Sequence, residues 1–143
     1  MKYWLANLLL FAVATADAAI PLPAELTGIW ATSGSQFHGE AMWKGQAIYL
    51  DSDGIGAFVG GNGADVLGVR IVVTSYDTTS HVIGFDLTED GNVLDHGTLT
   101  FDQQVHALVS SKDSQRYYRR ANVVSAAMRK SIGLDPRPGG ERP

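Results

Sequence analysis

The chain has 143 residues, no cysteine and a formal net charge of −4. That length fits one domain able to bury a sizeable core, and the lack of thiols excludes disulfides, thiol catalysis, zinc–thiolate sites and iron–sulfur clusters. A mildly acidic chain without a basic block offers no electrostatic footprint for nucleic acid. Arg116, Arg119, Arg120, Arg129 and Lys130 gather near the end but read as a solvated strand edge and helix face.

At the N-terminus, Met1-Lys2 supplies a short positive region and residues 5–13 form an apolar run interrupted only by Asn7. Ala16-Asp17-Ala18 then places small residues where a signal peptidase reads them. Residues 1–18 therefore read as a cleavable secretory signal peptide, cut after Ala18. The apolar run falls well short of the roughly 20 residues that span a bilayer, so no stable membrane insertion is expected after cleavage. The mature protein is expected in the periplasm or secreted. Removing Lys2 and Asp17 with the leader leaves the net charge at −4.

Ile20-Pro21-Leu22-Pro23 is a stiff extended lead-in, because proline fixes its own φ and disfavours helix in the residue before it. From there to about Arg120 the pattern is strand, turn, strand. Asp51-Ser52-Asp53-Gly54, Gly60-Gly61-Asn62-Gly63, Asp77-Thr78-Thr79-Ser80, Asp90-Gly91-Asn92, Asp102-Gln103-Gln104 and Lys112-Asp113-Ser114 punctuate it. Asp and Asn bond their own backbone in turns, and glycine supplies positive φ. Between turns the side chains alternate with period two: Ile83, Phe85 and Leu87 share one face, as do Val69, Ile71 and Val73. Val105, Ala107 and Val109 alternate with His106, Leu108 and Ser110. Eight strands are predicted, over 27–33, 46–51, 55–60, 68–76, 81–89, 92–101, 105–111 and 115–121. Residues 34–45 are left as the one long loop.

Residues 125–132 are the one mature stretch of good helix formers, with Gly133 as a natural stop and Val124, Met128 and Ile132 as the buried stripe. Residues 135–143 offer no large apolar side chain and are expected to be disordered. The expected fold is thus all-β, a small up-and-down antiparallel β-barrel of about eight strands with a short C-terminal helix. It occupies residues 19–134.

This order of parts resembles the small bacterial secreted lipocalin-like (calycin-type) barrels. The residues that carry the resemblance are Gly28-Ile29-Trp30 near the mature N-terminus and Tyr117-Tyr118-Arg119-Arg120 in the closing strand. The resemblance implies that Trp30 closes one end of the barrel and that Arg119 or Arg120 packs across its indole. A guanidinium over an indole is stabilising by up to about 2 kcal/mol when desolvated. The family's common disulfide is missing and the strands are shorter than in a full-sized member.

Motifs that carry chemistry are scarce. His38, His81, His96 and His106 lie in no metal-ligand spacing and read as polar strand positions. Asp51-Ser52-Asp53-Gly54 hints at a calcium loop, but Asn62 stands where the bidentate glutamate belongs, so it reads as a turn. The glycine runs precede β segments rather than the helix that cradles phosphate, and no G-x-S-x-G elbow is present. Neither a catalytic set nor a cofactor is expected.

The segment that stands out is the 34–45 loop, where Phe37, Met42 and Trp43 put three large apolar groups. Either they fold back to cap the core, or they line a mouth or form a partner-binding patch. Two partners fit an exported barrel of this kind. One is a small apolar or amphipathic molecule; the other is an exported protein such as a hydrolase that the barrel would inhibit.

Overall fold

A computed structural model describes residues 19–134. The expected signal peptide, 1–18, and the expected disordered tail, 135–143, lie outside the described residues. Nine strands follow one another: β1 (Gly28–Ala31), β2 (Gln36–His38), β3 (Ala41–Leu50), β4 (Ile55–Asn62), β5 (Val66–Asp77), β6 (Val82–Glu89), β7 (Asn92–Asp102), β8 (Ala107–Ser110) and β9 (Arg116–Ala121). A 3-10 turn, Ala24–Leu26, precedes them and a short helix, α1 (Ala126–Ser131), follows. From β3 to β9 each strand pairs antiparallel with the next, and β1 pairs with both β9 and β3. These eight strands close a barrel in up-and-down order. β2 hangs on the edge of β3, outside the ring.

The turns form for the reason the sequence suggests. In five of them an acidic or amide side chain accepts from the backbone two residues on: Asp53 from Ile55, Asn62 from Ala64, Asp77 from Thr79, Asp102 from Gln104 and Asp113 from Gln115. Asp90 and Gly91 both take positive φ, +52° and +82°, the two-residue hairpin turn whose twist suits the flanking strands.

One expectation is corrected. Residues 34–45 are not a long loop: β2 and the first half of β3 form a hairpin, with Phe37 opposite Met42. Gly45 obscures it. Its φ of +117° and its approach to Ser35, whose Oγ would lie 2.2 Å from an added Cβ, demand glycine. The facing of the strand changes across it, so that Gln46 and Ile48 point into the barrel while Met42 packs outside. β8 is also shorter than expected, since residues 105–106 belong to its turn and His106 has φ +54°.

Two apolar cores result. The first fills the barrel, with Trp30, Leu50, Ile71, Val73, Ile83 and Leu108 almost fully buried. The second lies on the outer face of β1, β3 and β4, where Ile29, Ala47, Tyr49 and Val59 meet Met42, Val124 just before α1 and Met128 within it. Ser125 caps α1 by accepting from the Met128 amide at 3.0 Å. Arg129 reaches back to Asp51 at 2.7 Å and Asp53 at 3.3 Å, so the Asp-Ser-Asp-Gly turn holds a guanidinium from the helix.

Candidate functional site: a barrel sealed at one end

The lumen tapers in chemistry from one end to the other. Around Trp30 the inward positions are large: Leu50, Val73, Ile83 and Phe101. One layer up come Ile48, Ile71, Leu99 and Leu108. At the far end the same inward alternation delivers Gln46 on β3, Gly60 on β4, Gly97 on β7 and Ser110 on β8. Small and polar residues replace large apolar ones, so side chains cannot fill that end. What they leave is a cavity of about 410 Å³, open to solvent.

The opposite end is shut. The lead-in crosses it, with the Ile20 amide donating to the Val73 carbonyl and the Leu22 amide to that of Ser52, both at 3.0 Å. Leu22 and Leu26 are buried beneath it. Trp30 Nε1 donates to the Leu26 carbonyl at 3.1 Å, which ties the plug to the barrel floor. The Arg119 guanidinium lies 4.8 Å from the Trp30 ring centroid, and its Nη2 donates to the carbonyls of Ala24, Glu25 and Thr27. Arg119, rather than Arg120, is the cation over the indole. Arg120 instead sits 4.1 Å from the ring centroid of Phe37.

The cavity walls fall into two sectors. Phe58, Ile71, Phe85, Leu87 and Leu99 make an apolar side, on which Phe58, Phe85 and Leu87 remain only half-buried. Gly97 is needed here, because an added Cβ would stand 2.6 Å from Cζ of Phe85; without one, that ring lies close against β7 and leaves the lumen clear. The other sector is polar: Gln46, Thr98, Ser110, Ser111, Lys112 and Asp113. Within it Tyr117 donates its hydroxyl to Gln46 Oε1 at 3.2 Å. Burial, with a smaller push from the Asp113 charge, drives the Tyr117 phenol up to about 12, so it stays a neutral donor.

Polar and charged groups at the rim engage one another. His96 Nδ1 lies 2.6 Å from Asp86 Oδ1, and Lys112 pairs with Asp95. That lysine holds the Asp95 carboxyl below its ordinary range. His81 and His106 occupy left-handed turn positions at the sealed end, and His38 stacks on Trp43 with ring centroids 5.5 Å apart. The expectation that histidines are plain strand positions is thus too simple. Among the described residues no three His, Cys, Asp or Glu side chains are grouped to hold a metal ion.

Phe37, Met42 and Trp43 are not brought together at the mouth. Met42 is 3% exposed and packs with Phe37 in the outer core, where Tyr49 pins the hairpin by donating to the Glu40 carbonyl and accepting from the Met42 amide. Trp43 lies beside the β4–β5 turn, its carbonyl accepting from the Gly63 amide at 3.1 Å. None of the three lines the cavity. The residues that do come from seven different strands and form no motif in the sequence. The signal that could have found them is the switch at inward positions from Ile48 to Gln46, Leu99 to Gly97 and Leu108 to Ser110. Searches with this chain against protein-family models, curated proteins and solved structures return no match.

Proposed function

We propose that this protein is an exported, non-catalytic binding barrel for a small apolar or amphipathic molecule, of the lipocalin-like (calycin-type) kind. The observation that carries the reading is the single-mouthed cavity of about 410 Å³ in a barrel whose other end is plugged. Small-molecule sites commonly measure about 300–1,000 Å³, are mostly apolar and carry a few placed polar groups. Phe58, Phe85 and Leu87 leave apolar surface facing water there, and covering such surface is worth about 25 cal/mol per Å². At the rim His96 is engaged by Asp86 and Lys112 by Asp95, so those side chains are already partnered. Arg119 over Trp30 supports the resemblance in layout. Export rests on the leader pattern of residues 1–18, and it places the protein in the periplasm or outside the cell.

Calorimetric titration of the protein lacking residues 1–18 with 1-octanol tests the reading, alongside Ser110→Trp, whose indole would occupy the lumen. Saturable binding is expected in the unmodified barrel, with a Tm that rises with octanol concentration by mass action. Ser110→Trp should keep the fold and lose both effects. No binding to the unmodified barrel, or equal binding to the blocked variant, would contradict the proposal.

A further inference from the structure

The apolar wall of the cavity does not stop at the rim. β4 and β5 run on past the point where β6 leaves them: β5 pairs with β4 from Val66 onward, whereas its ladder with β6 begins only at Arg70. Opposed residues in an antiparallel pair face the same side. Phe58, which lines the cavity, is paired with Val69, and the next inward pair out is Gly60 with Leu67. Val69 and Leu67 therefore continue the row that begins at Ile71. Exposure rises along it, from 1% at Ile71 through half-buried Val69 to 78% at Leu67. A Cβ added at Gly60 would meet nothing within 4 Å, so an open shelf lies beside Leu67. Across the mouth stand Ser110, Ser111, Lys112 and Asp113.

We infer that the ligand is a chain-like amphiphile, longer than the cavity is deep, whose outer apolar part lies along the β4–β5 lip against Leu67 and Val69. The inference rests on the binding role proposed above and adds the shape of the molecule. A compact ligand would be enclosed by the lumen and would leave Leu67 and the Gly60 shelf in water. A chain continues from Phe58 onto the lip with no break in apolar contact, while its polar groups turn to the serine and lysine sector. Trp43, whose ring edge lies within 3.7 Å of the position a Gly63 Cβ would take, stands beside the turn at the end of this lip and reports on its environment.

The test is a calorimetric series of straight-chain alcohols from hexanol to dodecanol, with adamantan-1-ol as a compact molecule of the same carbon number as decanol, on the unmodified protein and on Leu67→Ser. Leu67 is exposed, so the variant should fold normally. Affinity should rise about fourfold per methylene into the long members of the series, and decanol should bind more tightly than adamantan-1-ol and shift Trp43 fluorescence. Leu67→Ser should weaken decanol and dodecanol at least about fourfold and leave hexanol unchanged. A plateau at the short alcohols with no effect of Leu67→Ser would overturn the lip while leaving the cavity reading intact. Failure of every alcohol to bind would remove both. A concentration-dependent dimer abolished by Leu67→Ser would assign the lip to a second copy and overturn the inference.

Discussion

Trp30 and Trp43 show how one residue type can serve two different ends. Trp30 is 1% exposed, hydrogen-bonded through its indole and packed edge-on to Phe101 with ring centroids 6.0 Å apart. Trp43 is half-buried against a histidine and a glycine turn. Trp30→Ala should therefore cost about 3–5 kcal/mol, against about 1 kcal/mol for Trp43→Ala, as read from urea midpoints. Equal costs would remove the distinction. Tyr117 gives a pH dependence of definite sign. Its phenol titrates near 10 when unfolded and at about 12 when folded, because burial opposes the charged form. Its contribution is fully present below pH 10 and is lost as pH rises from there toward 12. Tyr49, also raised by burial, acts in the same direction. Tyr117→Phe should flatten the alkaline loss of stability, although the variant forgoes the bond to Gln46, worth about 1 kcal/mol near neutrality. An unchanged alkaline decline would show that Tyr117 does not resist ionisation in the fold.

At the scale of elements, α1 has six residues and is too short to hold helix alone in water. It persists because Met128 and Val124 are buried on the outer face of the barrel and Arg129 is clamped by the β3–β4 turn. Arg129→Ala should cost about 1–2 kcal/mol, since its carboxylate partners are only partly shielded from water. A double-mutant cycle with Asp51→Ala should reveal coupling of at least about 0.5 kcal/mol; strict additivity would mean that the pair does not fasten the helix. The helix was legible in the sequence because Val124, Met128 and Ile132 fall on one face. Strands such as β6 were legible because Ile83, Phe85 and Leu87 alternate without interruption. The β2–β3 hairpin was not, because Gly45 changes the facing of its strand and thereby breaks the period-two signal on which a strand reading depends. Phe37 and Met42 then read as loop residues that either cap the core or meet a partner; they lie in the apolar layer on the flank of the barrel.

For the whole molecule, closure into a barrel could be anticipated from even hairpins, because each is local in sequence. A sealed end was expected only through the resemblance carried by Gly28-Ile29-Trp30, and the lead-in that crosses it was not foreseen. The cavity could not be anticipated, since its walls are assembled from seven strands and it stays open because a side chain is missing at Gly97 rather than because of any residue present. Gly97, to which the sequence alone assigns no role, acts here as an absent side chain. Gly97→Val should push the Phe85 ring into the lumen and weaken any ligand more than it weakens the fold; the reverse ranking would place Phe85 elsewhere in solution.

The central claim is that the lumen is a ligand site, and methyl NMR tests it most directly. Octanol titrated into protein labelled at isoleucine and leucine methyls should produce saturable shifts at Ile48, Ile71, Leu87 and Leu99, with Leu26 and Leu134 unmoved. Shifts confined to Leu134 and the outer core, or none at all up to the solubility of the alcohol, would contradict it.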